Sequence, residues 1–275
     1  AAAEAMAGAP VKLRDVPVLL CLPEPERPGR PSGLDEEILP LLGQALKVQL
    51  RPESRLFSRG RSGVAHALKA ASRLLQDGKA TACLVAGVDS FLSATTLRAF
   101  EGRDRLLTSV NSNGFIPGEA AAAVLLAPAR KGAGRQLLCR GLGFGKEPAP
   151  VGSGKPLRAD GLVDAYRSAL RDAGCSFDDV YYRLTDANGE QYGFKEAQLA
   201  IGRSIRGTMK PEFPIWHPAD CIGEVGAAIG PCLLAVALAA ARKGYAPGEG
   251  ALCHLASDDG ERAALVLRYE ELEGS

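Results

Sequence analysis

Ser62 is the side chain best placed in this sequence for nucleophilic chemistry. It immediately precedes the small-residue run Gly63 to Gln76, which has helical character, and His66 follows one helical turn later, where it can face the hydroxyl. The same position suits a helix cap, because serine oxygen accepts hydrogen bonds from the unpaired N–H groups of a first turn. The other two histidines, His217 in Trp216-His217-Pro218 and His254, read as structural residues. All three stand far apart along the chain with no CxxC pair beside them, so no zinc site and no other cofactor is expected. The seven cysteines (Cys21, Cys83, Cys139, Cys175, Cys221, Cys232, Cys253) are odd in number, dispersed, and mostly set in apolar stretches such as Thr81-Ala82-Cys83-Leu84-Val85. They read as small buried hydrophobes of a reducing, cytoplasmic compartment. Glu119, beside Gly118 in a tight turn, either bonds that turn or faces water.

The elements that must position these groups form an internal repeat. A helix over Gly63–Gln76 stops at Asp77-Gly78, where glycine supplies a left-handed cap; strands over Thr81–Val88 and Ala121–Leu126 follow. Further on, a helix over Val225–Arg242 stops at Lys243-Gly244, and strands over Ala251–Ala256 and Ala263–Tyr269 follow. The strands are unbroken apolar runs, which fits sheets covered on both faces. Both helices are rich in Ala and Gly, so the pattern predicts two central helices packed together between two sheets. Leu34 to Leu50 carries a helical pattern before a strand at Arg55–Ser58, Pro23 to Pro31 reads as a surface loop, and Gly141 to Gly154 as the connection between halves 1–140 and 141–275.

With 275 residues, 46% hydrophobic, and a net charge of +1, the chain has material for a substantial core. Its Lys and Arg form no stripe, so nucleic acid is not an expected partner. No uninterrupted apolar run reaches the roughly 18 residues of a bilayer span, and the Ala-rich start is broken by Glu4 and Gly8, so no membrane span is expected.

Five segments carry a resemblance. Ala86-Gly87-Val88-Asp89-Ser90, Leu97-Arg98-Ala99-Phe100 and Asn113-Gly114-Phe115-Ile116-Pro117-Gly118-Glu119-Ala120-Ala121 follow one another in the order and near the spacing of the β-ketoacyl synthases. Ile222-Gly223-Glu224-Val225-Gly226-Ala227-Ala228-Ile229-Gly230 is similar to that family's segment leading into its C-terminal central helix, and Lys195-Glu196-Ala197-Gln198 resembles an acidic segment after its first catalytic histidine. The resemblance implies the α/β thiolase-like fold, five layers α/β/α/β/α in two duplicated halves, here with the N-terminal half shortened.

It also locates the family's chemistry. A cysteine at the mouth of the first buried helix is the family's nucleophile, activated by the helix N-terminus, and two histidines stabilise charge during malonyl decarboxylation. In this sequence the nucleophile position falls on Arg61, or on Gly60 if the alignment is anchored on Ser62-Gly63-Val64. The first histidine falls on Thr185 or Asp186, the second on Glu224, and the turn that supplies an oxyanion-hole amide becomes Ser257-Asp258-Asp259-Gly260. None retains the chemistry. The resemblance therefore implies a pseudo-ketosynthase, a non-catalytic partner, adaptor or scaffold for an active synthase, a carrier protein or a secretion-effector complex, or for a second copy as homodimer. The alternatives are an acyltransferase of 3-oxoacyl synthase type with an unconventional centre around Ser62, Asp186 and Glu224, and an acyl-chain binder. If Arg61 and Glu224 do occupy the old centre, a buried guanidinium needs a carboxylate, and Arg61 is expected to pair with Glu224 or Asp186.

Overall fold

The protein is described as a computed structural model, over residues 1–205, 210 and 212–272. In chain order its elements are α1 (Ala2–Met6), β1 (Val18–Leu22), α2 (Leu34–Leu46), β2 (Arg55–Ser58), α3 (Gly63–Gln76), β3 (Cys83–Ser90), α4 (Ala94–Glu101), β4 (Glu119–Leu126), β5 (Arg135–Lys146), α5 (Asp160–Ala173), β6 (Tyr182–Thr185), α6 (Gln191–Ser204), β7 (Ile215–Trp216), α7 (Ala219–Ile222), α8 (Ile229–Lys243), β8 (Gly250–Ala256) and β9 (Glu261–Glu271).

Two compact units share the chain. The first holds residues 1–106, 117–128 and 222–232, the second 107–116, 129–221 and 233–275. A cut at residue 140 is therefore replaced by one near 128, with two short segments exchanged.

Inside the first unit the sheet order is β2-β1-β3-β4, and inside the second β5-β9-β8-β6-β7. Read from the other end, the second sheet repeats the first. β6 lies parallel to β7 and β8 as β1 lies parallel to β2 and β3, and β9 runs antiparallel on β8 as β4 does on β3. The fifth strand, β5, antiparallel on β9, has no counterpart beside β4 among the described residues. This is the repeat that the sequence shows, now with its pairing.

Glycine ends both repeat helices as expected. Past α3, Gly78 takes φ +66° and Lys79 N–H donates to the Leu74 carbonyl at 2.9 Å; past α8, Gly244 takes φ +75°. α3 buries Gly63, Val64, Ala65, Ala67, Leu68, Ala71 and Leu74. The second repeat helix starts as a tight turn, Gly226–Ala228, before α8 proper. At its first residues Gly230 meets the Val64 side chain: a Cβ there would stand 2.3 Å from Val64 Cγ1, so the mouths of the two helices touch within the first unit.

Four expectations change. Gly141 to Gly154 does not begin as a linker, because Gly141, Gly143 and Gly145 lie on one face of β5, where α5 presses its backbone against the strand. A Cβ on Gly143 would stand 2.0 Å from the Ala165 carbonyl oxygen. Alternating glycines here are a packing surface, not a turn signal. Pro23 to Pro31 is held down instead of lying free, because Arg30 donates to the Pro23 carbonyl (3.1 Å) and to Asp35 (2.6 Å), and Arg27 reaches Asp89 (2.7 Å). Gly226–Lys243 is, among the described residues, long and apolar enough to cross a membrane, with mean hydropathy 1.4; an uninterrupted count misses it, and 56% of it is buried inside the protein, as a core helix is. The cysteines are free; Cys139 and Cys221 are exposed, against the expectation of burial, while Cys21, Cys83 and Cys253 are buried.

Gly143→Ala should destabilise the protein by about 3 kcal/mol in urea unfolding, because the methyl collides with the α5 backbone at Ala165 and Ala169. Gly202→Ala in α6, where nothing lies within 4 Å, should be neutral or stabilising by about 0.5–1 kcal/mol. Equal effects of the two changes would refute the packing role.

Candidate functional site

At the mouth of α3 the chain makes one tight helical turn, Gly60–Ser62, that aims the Arg61 side chain at the turn before Gly226. There Arg61 Nη1 donates to Glu224 Oε2 at 3.0 Å. Glu224 is 4% exposed and fixed from three sides. Its Oε1 accepts from Gly226 N–H (2.8 Å), its carbonyl accepts from Gly118 N–H (2.9 Å), and it forms a bridge with Pro117. This explains the Pro-Gly-Glu spelling. A Cβ on Gly118 would stand 2.3 Å from the Ile222 carbonyl oxygen, so only glycine lets the turn approach that closely. Glu119, next in sequence, is exposed at the start of β4.

A second ion pair stands beside the first. Asp89, at the end of β3, accepts from Arg27 Nη2 (2.7 Å), Ser90 N–H (2.8 Å) and Ala227 N–H (3.1 Å). Arg27 also lies over the Phe91 ring, 4.7 Å from its centroid. Burial pushes the Asp89 carboxyl up to about 7, against the opposing pull of Arg27 and the two N–H groups. Gly226 has φ +50°, and a Cβ on it would stand 2.0 Å from Asp89 Oδ2. Gly60, φ +55°, meets the Glu24 carboxylate in the same way, at 2.0 Å from Oε1.

Ser62 does not cap α3. It is fully buried, makes no cap bond, and donates its hydroxyl to the Arg59 carbonyl at 3.1 Å. Its own φ and ψ are already helical, which leaves its oxygen poorly aimed at the first-turn amides. A thiol does approach this helix mouth: Cys21 Sγ lies 3.6 Å from where a Cβ on Gly63 would stand. Burial pushes that thiol up to about 12, so it stays protonated and unreactive at neutral pH.

In the second unit, Thr185 ends β6 beside His254 of β8. Thr185 Oγ1 lies 2.8 Å from His254 Nε2, and Tyr166 Oη lies 3.0 Å from Nδ1. Thr185 hydroxyl is also 3.4 Å from Asp186 Oδ1, and its oxygen accepts from Ala187 N–H (3.2 Å). One proton arrangement satisfies the whole chain: Tyr166 donates to Nδ1, Nε2–H donates to Thr185, and Thr185 donates to Asp186. Asp186 Oδ2 accepts from Ala256 N–H at 2.7 Å. Burial lowers His254 to about 3, with Arg183 and Arg262 also opposing a positive charge. Glu196, in the segment noted for its resemblance, is buried against Arg262, whose Nε donates to both carboxylate oxygens at 2.8 and 3.0 Å; Tyr192 hydroxyl takes Nη2 at 2.9 Å. Asp258 sits on the Ser257–Gly260 turn between β8 and β9, half-buried. His217 packs edge-on against Phe194, ring centroids 5.0 Å apart, and His66 is half-buried on α3.

The comparisons with known proteins bear on this geometry. The model of the β-ketoacyl synthase N-terminal domain matches residues 61–132, starting at Arg61 itself. Solved structures superpose over nearly the whole chain. A β-ketoacyl synthase from Burkholderia phymatum matches with TM-score 0.72 and 16% identity, over 98% of this chain and 80% of its own. A ketosynthase in complex with its chain length factor from Xenorhabdus doucetiae matches with TM-score 0.68 and 14% identity, over 97% and 77%. A type II PKS acyl-carrier protein in complex with its ketosynthase bound to the hexaketide gives TM-score 0.75 and 17% identity, over 98% and 82%. The chain has the thiolase-like fold of the β-ketoacyl synthases. No curated protein matches the sequence. In this ketosynthase-like chain, sequence reasoning brought Arg61 and Glu224 together and missed Arg27, Asp89, Glu24 and Cys21. Arg27 was hidden in a Pro-rich stretch, and the other three have no spacing signal that points to the helix mouth.

Arg61→Ala should cost about 2–4 kcal/mol by leaving Glu224 buried without its cation. A double-mutant cycle with Glu224→Gln should return a coupling of at least about 1 kcal/mol, and additive losses would show that the pair does not interact.

Acid should weaken the second unit through His254. Between pH 6.5 and about 3 the unfolded histidine binds a proton that the folded one refuses, so stability falls as pH falls, by up to about 1.4 kcal/mol per pH unit. Asp89 acts with the opposite sign, since its raised pKa lets the fold keep a proton that the unfolded chain loses. The informative quantity is the difference between wild type and His254→Gln in urea unfolding across this window. Identical pH slopes would mean that His254 is not held neutral.

Proposed function

We propose that this chain is a degenerate ketosynthase whose role is to partner another protein, not to condense acyl groups. The observation that carries this reading is the Arg61–Glu224 ion pair at 3.0 Å. By the sequence resemblance, these two residues stand where the β-ketoacyl synthases have their nucleophile and second histidine. An arginine is no acyl acceptor, and each oxygen of the Glu224 carboxylate already accepts a hydrogen bond, one from Arg61 and one from Gly226 N–H. Each neighbouring group that could substitute is engaged or inaccessible: Ser62 is buried and bonded to a carbonyl, Cys21 is buried and protonated, Asp89 holds Arg27. The two positions for the first histidine, Thr185 and Asp186, are tied to His254 and Ala256.

The partnering half of the proposal draws on the solved structures, which include a ketosynthase with its chain length factor and an acyl-carrier protein with its ketosynthase. On that pattern the partner is an active synthase or a carrier protein; a secretion-effector complex and a homodimer are the remaining candidates, and a cytoplasmic setting fits all of them.

The purified chain should give no β-ketoacyl product and no malonyl decarboxylation above background with acyl- and malonyl-thioester donors. Turnover that survives Ser62→Ala and disappears in Glu224→Gln would overturn the reading and make Glu224 catalytic.

A further inference from the structure

Between β1 and α2 the chain runs past the mouth of α3 as a strap, Pro23-Glu24-Pro25-Glu26-Arg27-Pro28-Gly29-Arg30-Pro31-Ser32-Gly33. Leu22 before it lies in the apolar core of the first unit and Leu34 after it packs on that core, but within the strap itself only Pro23 is buried. Its backbone closes two turns on itself, Arg27 N–H donating to the Glu24 carbonyl (3.0 Å) and Arg30 N–H to the Arg27 carbonyl (3.1 Å).

Polar contacts hold the strap down. Glu24 sets its carboxylate over Gly60, where a Cβ would stand 2.0 Å from Oε1 and 2.5 Å from Oε2, so the acid fills the space that a side chain at the mouth would take. Arg27 donates to Asp89 (2.7 Å) and to the Ser90 carbonyl (3.2 Å). Gly29 rests on α4: Thr96 hydroxyl donates to the Pro28 carbonyl (3.2 Å), and a Cβ on Gly29 would stand 2.1 Å from Thr96 Oγ1.

Such an attachment gives way before an apolar core does. The Arg27 and Asp89 side chains are 7% and 1% exposed, and parting a buried ion pair returns water to both partners, which offsets the lost attraction. The closed strap also keeps Arg27 Nε buried with no acceptor among the described residues, a cost that opening removes. Proline at 23, 25, 28 and 31 leaves the freed strap few conformations, so reclosing costs little entropy.

We propose that residues 23–33 are a gate over the mouth of α3: Glu24 fills the space above Gly60, Arg27 is the latch on Asp89, and the strap lifts as a unit while the sheet beneath it stays folded. Lifting it uncovers Gly60 and Asp89 together, since one segment covers both. The gate follows from the packing of the first unit and stands or falls independently of the absence of catalysis.

The test is hydrogen exchange and Glu-C proteolysis of the 275-residue chain in urea below the unfolding transition. Glu-C cuts after glutamate, and its site in the strap is the Glu26–Arg27 bond, because Glu24 is followed by proline. The reference amide is Leu84 in β3, which donates to the Pro17 carbonyl just before β1. Ser90 and Ala227, whose N–H groups donate to Asp89, should exchange at least about tenfold faster than Leu84 and with a weaker urea dependence, and cleavage at Glu26 should share that weak dependence. Gly29→Ala should speed the cleavage and both amides at least about tenfold by pushing the strap off Thr96, and Arg27→Ala should do the same by removing the latch, with Leu84 changed less. Gly33→Ala is the control: it carries the same backbone strain, at φ +73°, but meets only the flexible Glu37 side chain at 3.5 Å, and it should leave the strap closed. If cleavage at Glu26 and exchange at Ser90 and Ala227 follow the rate and urea dependence of Leu84, the strap opens only when the whole unit unfolds and the proposal is overturned. Equal effects of Gly29→Ala and Gly33→Ala overturn it as well.

Discussion

Carrying charge into the mouth of α3 is the act to which the first unit is committed. Arg61, Glu224, Arg27 and Asp89 are all removed from most of the water, and a buried charge without a partner costs several kcal/mol. The surrounding backbone is shaped to prevent that loss. Gly226 and Gly60 adopt positive φ where any side chain would collide with a carboxylate, and Gly118 brings its amide to the Glu224 carbonyl. The turn amides of Gly226 and Ala227 are spent on the protein's own carboxylates, Glu224 and Asp89.

The second unit solves the same problem differently. Arg262 Nε is shared between the two oxygens of Glu196, but among the described residues His254 has no anion in direct contact, and it stays neutral between a tyrosine and a threonine. A neutral imidazole can accept on one nitrogen and donate on the other, which is what lets Tyr166, His254, Thr185 and Asp186 form one chain with every proton placed. Such a chain rigidifies the end of β6.

The duplication allows the two sheets to be compared. Two units with the same strand order bury their last antiparallel strand to very different extents: β9 lies between β8 and β5, whereas among the described residues β4 pairs with β3 alone. Sequence repeats show that two halves share elements; only the pairing shows which strands lie side by side.

Much was legible before any coordinates. α3 and β2 fall where the small-residue run and Arg55–Ser58 indicated, and Gly78 and Gly244 end their helices by taking the one backbone conformation that other residues resist. The meeting of Arg61 and Glu224 was also readable, since two motifs of known relative place each carried one charge. What the sequence could not carry was direction and distance across the chain. Gly141, Gly143 and Gly145 look like a linker until α5 is seen lying on them. Arg27 looks like part of a surface loop until Asp89 is found 2.7 Å away, and Ser62 looks like a cap until its hydroxyl is found on a carbonyl three residues back. In each case the local spelling is compatible with more than one arrangement, and the contacts made in the folded chain select one.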